Sequence, residues 1–181
     1  MDTDILYREY LAGNQAALEQ LMEIYGDRLA LYINGYVKNI HDAEDLLIDV
    51  FAYLVVRRPH IKSNFSGYIH KAARNHALMF LRKRKRYVIL PEIDMNFSVE
   101  NTFEDSVFNR ERDEKLYMCM DMLNPAQREA LYLVYIERLS YKDTAGVMHK
   151  TVKQVDKLLQ TAKKNIMPLL RKEGIENAFG R

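Results

Sequence analysis

Aromatic and cationic side chains are interleaved in one stretch of the chain, residues 57–86. This stretch holds ten Lys and Arg residues and no Asp or Glu, and Phe65, Tyr68 and Phe80 lie among the cations. Such surfaces bind unpaired nucleic acid, because cations follow the phosphates while flat rings stack on the bases. The pattern therefore predicts a polyanionic ligand, single-stranded nucleic acid in particular. The alternative is that Phe65 and Tyr68 close a helical core and the cations form a solvated face.

No arrangement of residues typical of catalysis is found in the sequence. The histidines lack metalloenzyme spacing, there is no glycine-rich phosphate loop, and the lone Cys119 can form neither a disulfide framework nor a thiolate cluster. The acidic run Asp42, Glu44, Asp45 and Asp49 could indicate a metal site. A helix start, where the dipole favours negative charge, or an edge facing a partner explains it better. We expect no catalytic residue, no metal and no cofactor, and a protein that is not an enzyme.

Helical periodicity accounts for most of the first half of the chain. Apolar residues recur every three or four positions over residues 16–36, with Asn14 placed to cap that helix. A second helix is predicted from about residue 41 to Pro59, and a polar loop over residues 60–66 precedes a third, which ends in the basic run 82–86. Residues 87–105 hold Pro91, scattered acids and no sustained period, which indicates a linker.

A second helical block is predicted from about residue 106. Asn124 and Pro125 suit the N-cap and first helical positions, Ser140 suits another N-cap, and Thr151 with Gln154 fits a capping box. Two capped helices, about eight and about twenty residues long and separated by residues 148–150, predict a helix-turn-helix. The predicted fold class is all-α, with two small helical domains joined by a flexible linker and the helix-turn-helix in the C-terminal one.

The net charge of +2 hides an uneven distribution along the chain. Residues 1–86 carry thirteen cations and ten anions, residues 87–114 carry two and eight, and residues 115–181 carry twelve and seven. Two basic lobes are therefore separated by an acidic segment. The chain contains neither a signal-peptide apolar core nor about 18 consecutive apolar residues. We accordingly expect a cytoplasmic protein without direct membrane insertion.

Four ordered stretches resemble RNA polymerase sigma factors. Residues 42–51, DAEDLLIDVF, are similar to the D-A-E-D-L-x-Q-E-x-F signature of sigma region 2, and residues 68–78, YIHKAARNHAL, to the W-L-x-x-I-A-R-N-x-A-x helix of that region. Residues 123–131, LNPAQREAL, resemble the start of region 4, and residues 139–145, LSYKDTA, the start of its helix-turn-helix. Because nothing resembles regions 1 and 3, the resemblance is to the extracytoplasmic-function (ECF) subfamily. It implies region 2 over residues 1–90, a linker over 91–107 and region 4 over 108–181.

The resemblance implies a sigma factor that directs core RNA polymerase to promoters by recognising their minus-10 and minus-35 elements. The family's D-A-E-D-L helix docks on the coiled coil of the largest polymerase subunit, which here implies Asp45, Leu46, Asp49 and Phe51. The following loop and helix bind the melted minus-10 strand and hold a flipped base, which implies Lys62, Asn64, Phe65, Tyr68, Lys71, Arg74, Asn75 and Arg82. The second helix of the helix-turn-helix enters the major groove of the double-stranded minus-35 element, which implies Thr151, Lys153, Gln154, Lys157, Lys163 and Lys164. An anti-sigma factor is a further implied partner.

Three departures from the family pattern affect the expected geometry. Tyr68 stands where the family usually has Trp, and Met79 replaces a frequent Asp. His149 and Lys150 replace a Gly followed by an apolar residue, and because non-glycine residues rarely adopt positive φ, the turn is expected to be built differently. Two other functions remain open, a helix-turn-helix regulator that never joins polymerase and a helical adaptor that binds only proteins.

Overall fold

A computed structural model describes residues 2–87 and 111–175 of the chain, with side chains for residues 2–86 and 114–175. The described residues form eight α-helices and one short π-helix, in two compact units. The N-terminal unit contains α1 (Thr3–Leu11), α2 (Gln15–Val37), α3 (Ile40–Arg57) and α4 (Phe65–Tyr87). The C-terminal unit contains α5 (Glu111–Asp121), α6 (Pro125–Leu131), the π-helix (Tyr132–Ile136), α7 (Tyr141–Met148) and α8 (Val152–Lys172). The predicted all-α fold is confirmed, whereas the predicted linker over 91–107 lies outside the described residues.

The core of the N-terminal unit forms around α2, which packs against the other three helices. Its buried residues recur at helical spacing, which places them on the side of the 23-residue helix that packs in the core. The large side chains that are fully buried in this core are Tyr7, Tyr10, Leu21, Leu29, Ile33, Leu54, Phe65 and Ile69. The three helices predicted in this half are present within one or two residues of the predicted bounds.

Helix α1 was not predicted, although its sequence carries the signal for it. Asp2 caps it by accepting a hydrogen bond from the Asp4 N–H at 2.9 Å, and Leu6, Tyr7 and Tyr10 recur at helical spacing on its buried face. A nine-residue helix is too short to be stable alone, so its formation depends on packing against α2 and α4. Because the nine residues of α1 make fewer than three helical turns, their apolar periodicity is a weak signal in the sequence.

The local cap signals of the C-terminal unit are confirmed. The side chain of Asn124 accepts a hydrogen bond from the Gln127 N–H at 2.9 Å, with Pro125 in the first turn, and that of Ser140 accepts one from the Asp143 N–H at 3.1 Å. Thr151 forms both halves of the predicted capping box with Gln154. The eight residues of α7 and the 21 residues of α8 make the predicted helix-turn-helix.

The turn of this helix-turn-helix has ordinary geometry despite its unusual residues. His149 adopts a left-handed conformation, with φ of 53°, and its N–H bonds to the Ala145 carbonyl. The Lys150 N–H also bonds to the Ala145 carbonyl, at 2.9 Å. The expectation that the turn would be built differently is therefore wrong, because the histidine takes the conformation that glycine adopts more readily.

Within the described residues, no helix combines the length and the apolar character that crossing a membrane requires.

Candidate nucleic-acid interface

The loop between α3 and α4, residues 58–64, leads into the helix that carries the predicted minus-10 residues. Asn64 ends the loop in a left-handed conformation, with φ of 63°, and its side-chain oxygen accepts a hydrogen bond from the Gly67 N–H at 3.0 Å. Asn64 therefore acts as the N-cap of α4, which limits its side chain as a reader of bases. Lys62 and Ser63 are exposed in the loop.

The predicted contact of Phe65 with DNA is wrong for this structure. The side chain has 0% of its surface exposed and stacks on the Tyr7 ring, with centroids 4.7 Å apart. The Tyr25 ring meets it edge-on at 5.6 Å. Because burial in an aromatic cluster is the most favourable place for a phenyl ring, Phe65 anchors the start of α4 in the core and does not face solvent. The alternative of core closure holds for this residue.

Tyr68 is only half-buried, so part of its ring faces solvent. Its hydroxyl is hydrogen-bonded to Tyr53 of α3, and burial together with this bond raises the pKa of Tyr68. Tyr53 is exposed and its ring meets His76 of α4 edge-on at 6.0 Å. The hydroxyl bond restricts the orientation of the Tyr68 ring, and Tyr53 and His76 are neighbours that the sequence did not identify.

The polar residues predicted along α4 share its accessible side. Asn75 and Arg82 are exposed, and Lys71 and Arg74 are half-buried. In the terminal basic run, Arg84 lies 3.5 Å from the Asp42 carboxylate of α3. An anion from the acidic start of α3 thus offsets part of the positive charge at the end of α4.

Gly67 is the residue at which a small change would test the loop geometry most directly. A β-carbon at residue 67 would lie 2.5 Å from the side-chain nitrogen Nδ2 of Asn64 and 3.0 Å from Cγ of the same side chain. A β-carbon at Gly146 of α7 would meet nothing within 4 Å. We expect Gly67→Ala to leave the free energy of unfolding about unchanged, because the roughly 1 kcal/mol lost when the Asn64 side chain leaves its cap offsets the gain in helix propensity. Gly146→Ala should raise it by roughly 0.5–1 kcal/mol through helix propensity alone. Urea unfolding of the two variants would measure the difference between them, and equal stabilisation by both would refute a steric conflict between residue 67 and the Asn64 side chain.

The predicted polymerase-contacting residues on α3 divide into two groups. Asp45 and Asp49 are exposed, but Leu46 and Phe51 are 7% and 5% exposed and lie in the core. The prediction of direct contacts by Leu46 and Phe51 is wrong, because the motif does not distinguish inward from outward positions of a helix. The outer face instead presents Ile48, 66% exposed, and further along Ala52 and Val56, the latter 78% exposed.

The second helix of the helix-turn-helix presents a cationic face to solvent. Its inner side is formed by Val155, Leu159, Ala162, Ile166 and Leu170, all buried at steps of three or four residues. Lys153, Lys157 and Lys164 are exposed on the opposite side of α8. These three lysines, which we call the α8 lysine row, are predicted residues that the structure brings together on one face.

The remaining predicted residues of α8 have partners within the chain. The Gln154 side-chain oxygen accepts a hydrogen bond from the Thr151 N–H at 2.8 Å, and the Thr151 hydroxyl accepts one from the Gln154 N–H at 3.2 Å. Gln154 would have to leave this cap to bind adenine through both amide atoms. The Lys163 ammonium lies 4.7 Å from the centroid of the Tyr135 ring, so the cation packs on the π-helix.

Family models match both units of the chain. A model described as sigma-70 region 2 matches residues 21–87, and one described as sigma-70 region 4 matches residues 113–166. The first match covers α2 from residue 21 onward, α3 and α4, and the second runs from residue 113 in α5 to residue 166 in α8. The two regions occur in the order that the motifs predicted.

Curated relatives and a solved structure agree with the family models. The chain is 25% identical over 154 residues to the ECF RNA polymerase sigma factor SigM of Bacillus subtilis, covering 84% of this chain and 94% of SigM. It is 28% identical over 179 residues to SigE of Mycolicibacterium smegmatis, another ECF sigma factor, covering 92% of this chain and 67% of SigE. Its fold matches that of RpoE of Bartonella quintana, solved with the anti-sigma factor NepR, with a TM-score of 0.63 and 18% identity. The match covers 84% of this chain and 96% of RpoE. The chain belongs to the ECF RNA polymerase sigma factors, which direct RNA polymerase to promoters.

Proposed function

We propose that the N-terminal unit binds the melted minus-10 strand through the α3–α4 loop and α4, while α8 binds the major groove of the minus-35 element. The observation that carries this proposal is the separation of two exposed cationic faces, on α4 and on α8, into two compact units. Cations on an accessible helix face are suited to phosphate binding, and a helix start in the major groove can contact base edges.

On α4, Asn75 and Tyr68 are suited to contact a base, and the cations to hold the phosphates. Asn75 is exposed and can both donate and accept hydrogen bonds at a base edge. Tyr68 offers the accessible part of its ring for stacking, with its hydroxyl fixed by Tyr53. Lys62, Lys71 and Arg82 supply positive charge along the same unit. Phe65 and Asn64 support the site from within, as core residue and cap.

The salt dependence of single-strand binding tests this assignment. About six phosphate contacts on a single strand predict a slope near −4 when log affinity is plotted against log salt concentration. Fluorescence anisotropy of a labelled single strand, at several salt concentrations, would measure the slope. A slope close to zero would rule out a nucleic-acid role for α4 and favour a helical adaptor, for which the cations only confer solubility.

We assign polymerase docking to the outer face of α3. Asp45 and Asp49 form an acidic row beside the apolar row Ile48, Ala52 and Val56, and all five side chains are exposed. An apolar strip bordered by charges is typical of a protein-binding surface, and the order of these residues fits the family's docking helix. The proposed partner is the coiled coil of the largest polymerase subunit.

Transcription in vitro distinguishes a sigma factor from a helix-turn-helix regulator that does not join polymerase. Core RNA polymerase with the chain should produce specific transcripts from promoters with a premelted bubble, above the level of core polymerase alone. A panel of promoters selected from a random library would supply the templates. Absence of any added transcript from that panel would favour the regulator, for which the α3 face would be plain surface.

We also propose that the protein acts in the cytoplasm and is held inactive there by an anti-sigma factor. The support is family membership, together with the likeness of this fold to that of RpoE, which was solved with the anti-sigma factor NepR. Affinity purification of the chain from native cells should recover such a protein in addition to polymerase subunits. Recovery of polymerase subunits alone would argue against this regulation.

A further inference from the structure

The α3–α4 loop is connected to α1 at both of its ends. Helix α1 covers residues 3–11 and so precedes the residues matched by the region 2 model, which begin at 21. Its hydrogen bonds reach residues 58, 59, 64 and 65, which flank the exposed middle of the loop. The predicted minus-10 residues all lie outside α1.

At the first end, α1 holds Arg58 and Pro59. The Arg58 guanidinium donates hydrogen bonds to the main-chain carbonyls of Tyr10 and Leu11, both at 3.1 Å, and lies 5.0 Å from the centroid of the Tyr10 ring. The Tyr7 hydroxyl donates to the Pro59 carbonyl at 2.7 Å. Burial raises the pKa of Tyr7 to about 12.

At the second end, a single carboxylate holds two consecutive N–H groups. Asp4 accepts hydrogen bonds from the Asn64 N–H at 2.8 Å and from the Phe65 N–H at 2.6 Å, one to each oxygen. These bonds are charge-assisted and lie at the start of α4, where the helix dipole favours an anion. The Tyr7 ring completes the contact by stacking on Phe65.

The loop needs these contacts because its ends adopt an uncommon conformation. Arg58 and Asn64 have φ angles of 42° and 63°, in the left-handed region that residues other than glycine rarely occupy. Without partners in α1, the segment between them would sample many conformations, and ordering it would oppose the binding of a base. With them, both ends of the loop are held by hydrogen bonds before any ligand binds.

We propose that α1 is a brace that preorganises the α3–α4 loop for an unpaired base, with Asp4 and Tyr7 as positioning residues. The proposal rests on the assignment of this loop to the minus-10 strand. Neither residue is required to touch DNA. Their contribution is to sequence-specific capture, which depends on loop geometry, and not to phosphate binding, which depends on the cations of α4.

The test compares two single strands bound by holoenzyme assembled from core polymerase and the full chain. One is the labelled non-template minus-10 strand of a promoter selected with wild-type holoenzyme, and the other is its scrambled counterpart. Asp4→Asn keeps the shape of the side chain but removes its charge and one acceptor. We expect it to weaken binding of the selected strand about tenfold and to leave the scrambled strand unchanged, as the loss of one charge-assisted contact would do.

Two further variants keep the outcome interpretable. Glu9→Gln removes the same charge from an exposed position of the same helix and should change neither affinity. Tyr7→Phe retains the ring against Phe65, removes the bond to Pro59 and should weaken selected-strand binding in the same direction, even if Asp4→Asn fails to fold.

Two results would overturn the brace. One is unchanged preference for the selected strand in both the Asp4 and Tyr7 variants, and the other is equal weakening for both strands, which marks a purely structural role. If wild-type holoenzyme itself does not prefer the selected strand, the assignment of the loop to the minus-10 strand fails, and the brace proposal fails with it.

Discussion

Replacing Ile48 with arginine is expected to weaken binding to core RNA polymerase by about thirtyfold or more. Ile48 is the first residue of the exposed apolar row of α3 and is 66% exposed, so the change should leave the fold intact. The few side chains that dominate a protein interface each contribute about 2 kcal/mol or more, and we expect Ile48 to be one of them, which corresponds to this factor. Titration of labelled chain with core polymerase would measure the affinity.

The control for this variant is Ile5→Arg, which changes the same residue type on α1 at 47% exposure. Helix α1 packs mainly against α2 and α4, so this variant should bind polymerase as the wild type does. Equal affinity of Ile48→Arg and wild-type chain would exclude the outer face of α3 from the docking surface. Circular dichroism melting of both variants would confirm that neither effect arises from unfolding.

Replacing Lys153 and Lys157 together with glutamine is expected to weaken binding of minus-35 duplex about a hundredfold. Both side chains are exposed near the start of α8, the part of a recognition helix that meets the groove. Loss of a lysine that contacts a base costs roughly 1–3 kcal/mol of binding free energy. Loss of one that contacts a phosphate weakens binding and lowers the slope of log affinity against log salt concentration by about one. The double variant should therefore reduce both the affinity and the salt slope, the latter by about two.

A matched control is available on the same helix. Arg171 and Lys172 are exposed in the last turn of α8, which lies some 20 Å or more along the axis from Lys157 at 1.5 Å per residue. Arg171→Gln with Lys172→Gln removes equal charge and should alter duplex affinity little. If the two double variants weaken binding equally, net charge and not the α8 lysine row determines the affinity.

The parts of the fold that the sequence predicted are those that local chemistry decides. Asn124, Ser140 and Thr151 each cap a helix through an N–H three residues ahead, so the relevant atoms lie within one turn. The long helices are equally local, since three or four apolar residues per two turns define one face. Such signals are complete within ten to twenty residues.

The site was less predictable, because motifs identify helices without specifying which side of each faces solvent. Phe65 and Tyr68 were equally suitable as base-stacking residues, yet one is in the core and the other is half-exposed. Leu46 and Phe51 belong to the docking motif but pack inward, while their exposed neighbour Ile48 was not identified. The helical spacing of Ala43, Leu46, Val50 and Leu54, which are buried on α3, is the signal that distinguishes its inward from its outward positions.

The contacts of α1 could not be predicted from local patterns, because the residues they join are far apart in sequence. In the sequence, Asp4 is an acidic residue in the first turn of a helix, which is common. None of the residues next to it in the sequence indicates its hydrogen bond with the Asn64 N–H. The π-helix at Tyr132–Ile136 was also missed, since the apolar stripe there fits α-helical periodicity.

The long sequence separation of those contacts has a consequence for folding kinetics. The α1–loop hydrogen bonds join residues 47 to 61 positions apart, whereas the caps of the helix-turn-helix join residues three apart. Contacts of high separation form late, because the intervening chain must be closed first. We expect the amides in the interior of α2, α3 and α4 to gain protection from hydrogen exchange during refolding before the Asn64 and Phe65 amides do. The loop that is proposed to capture the base would thus be the last part of its unit to mature.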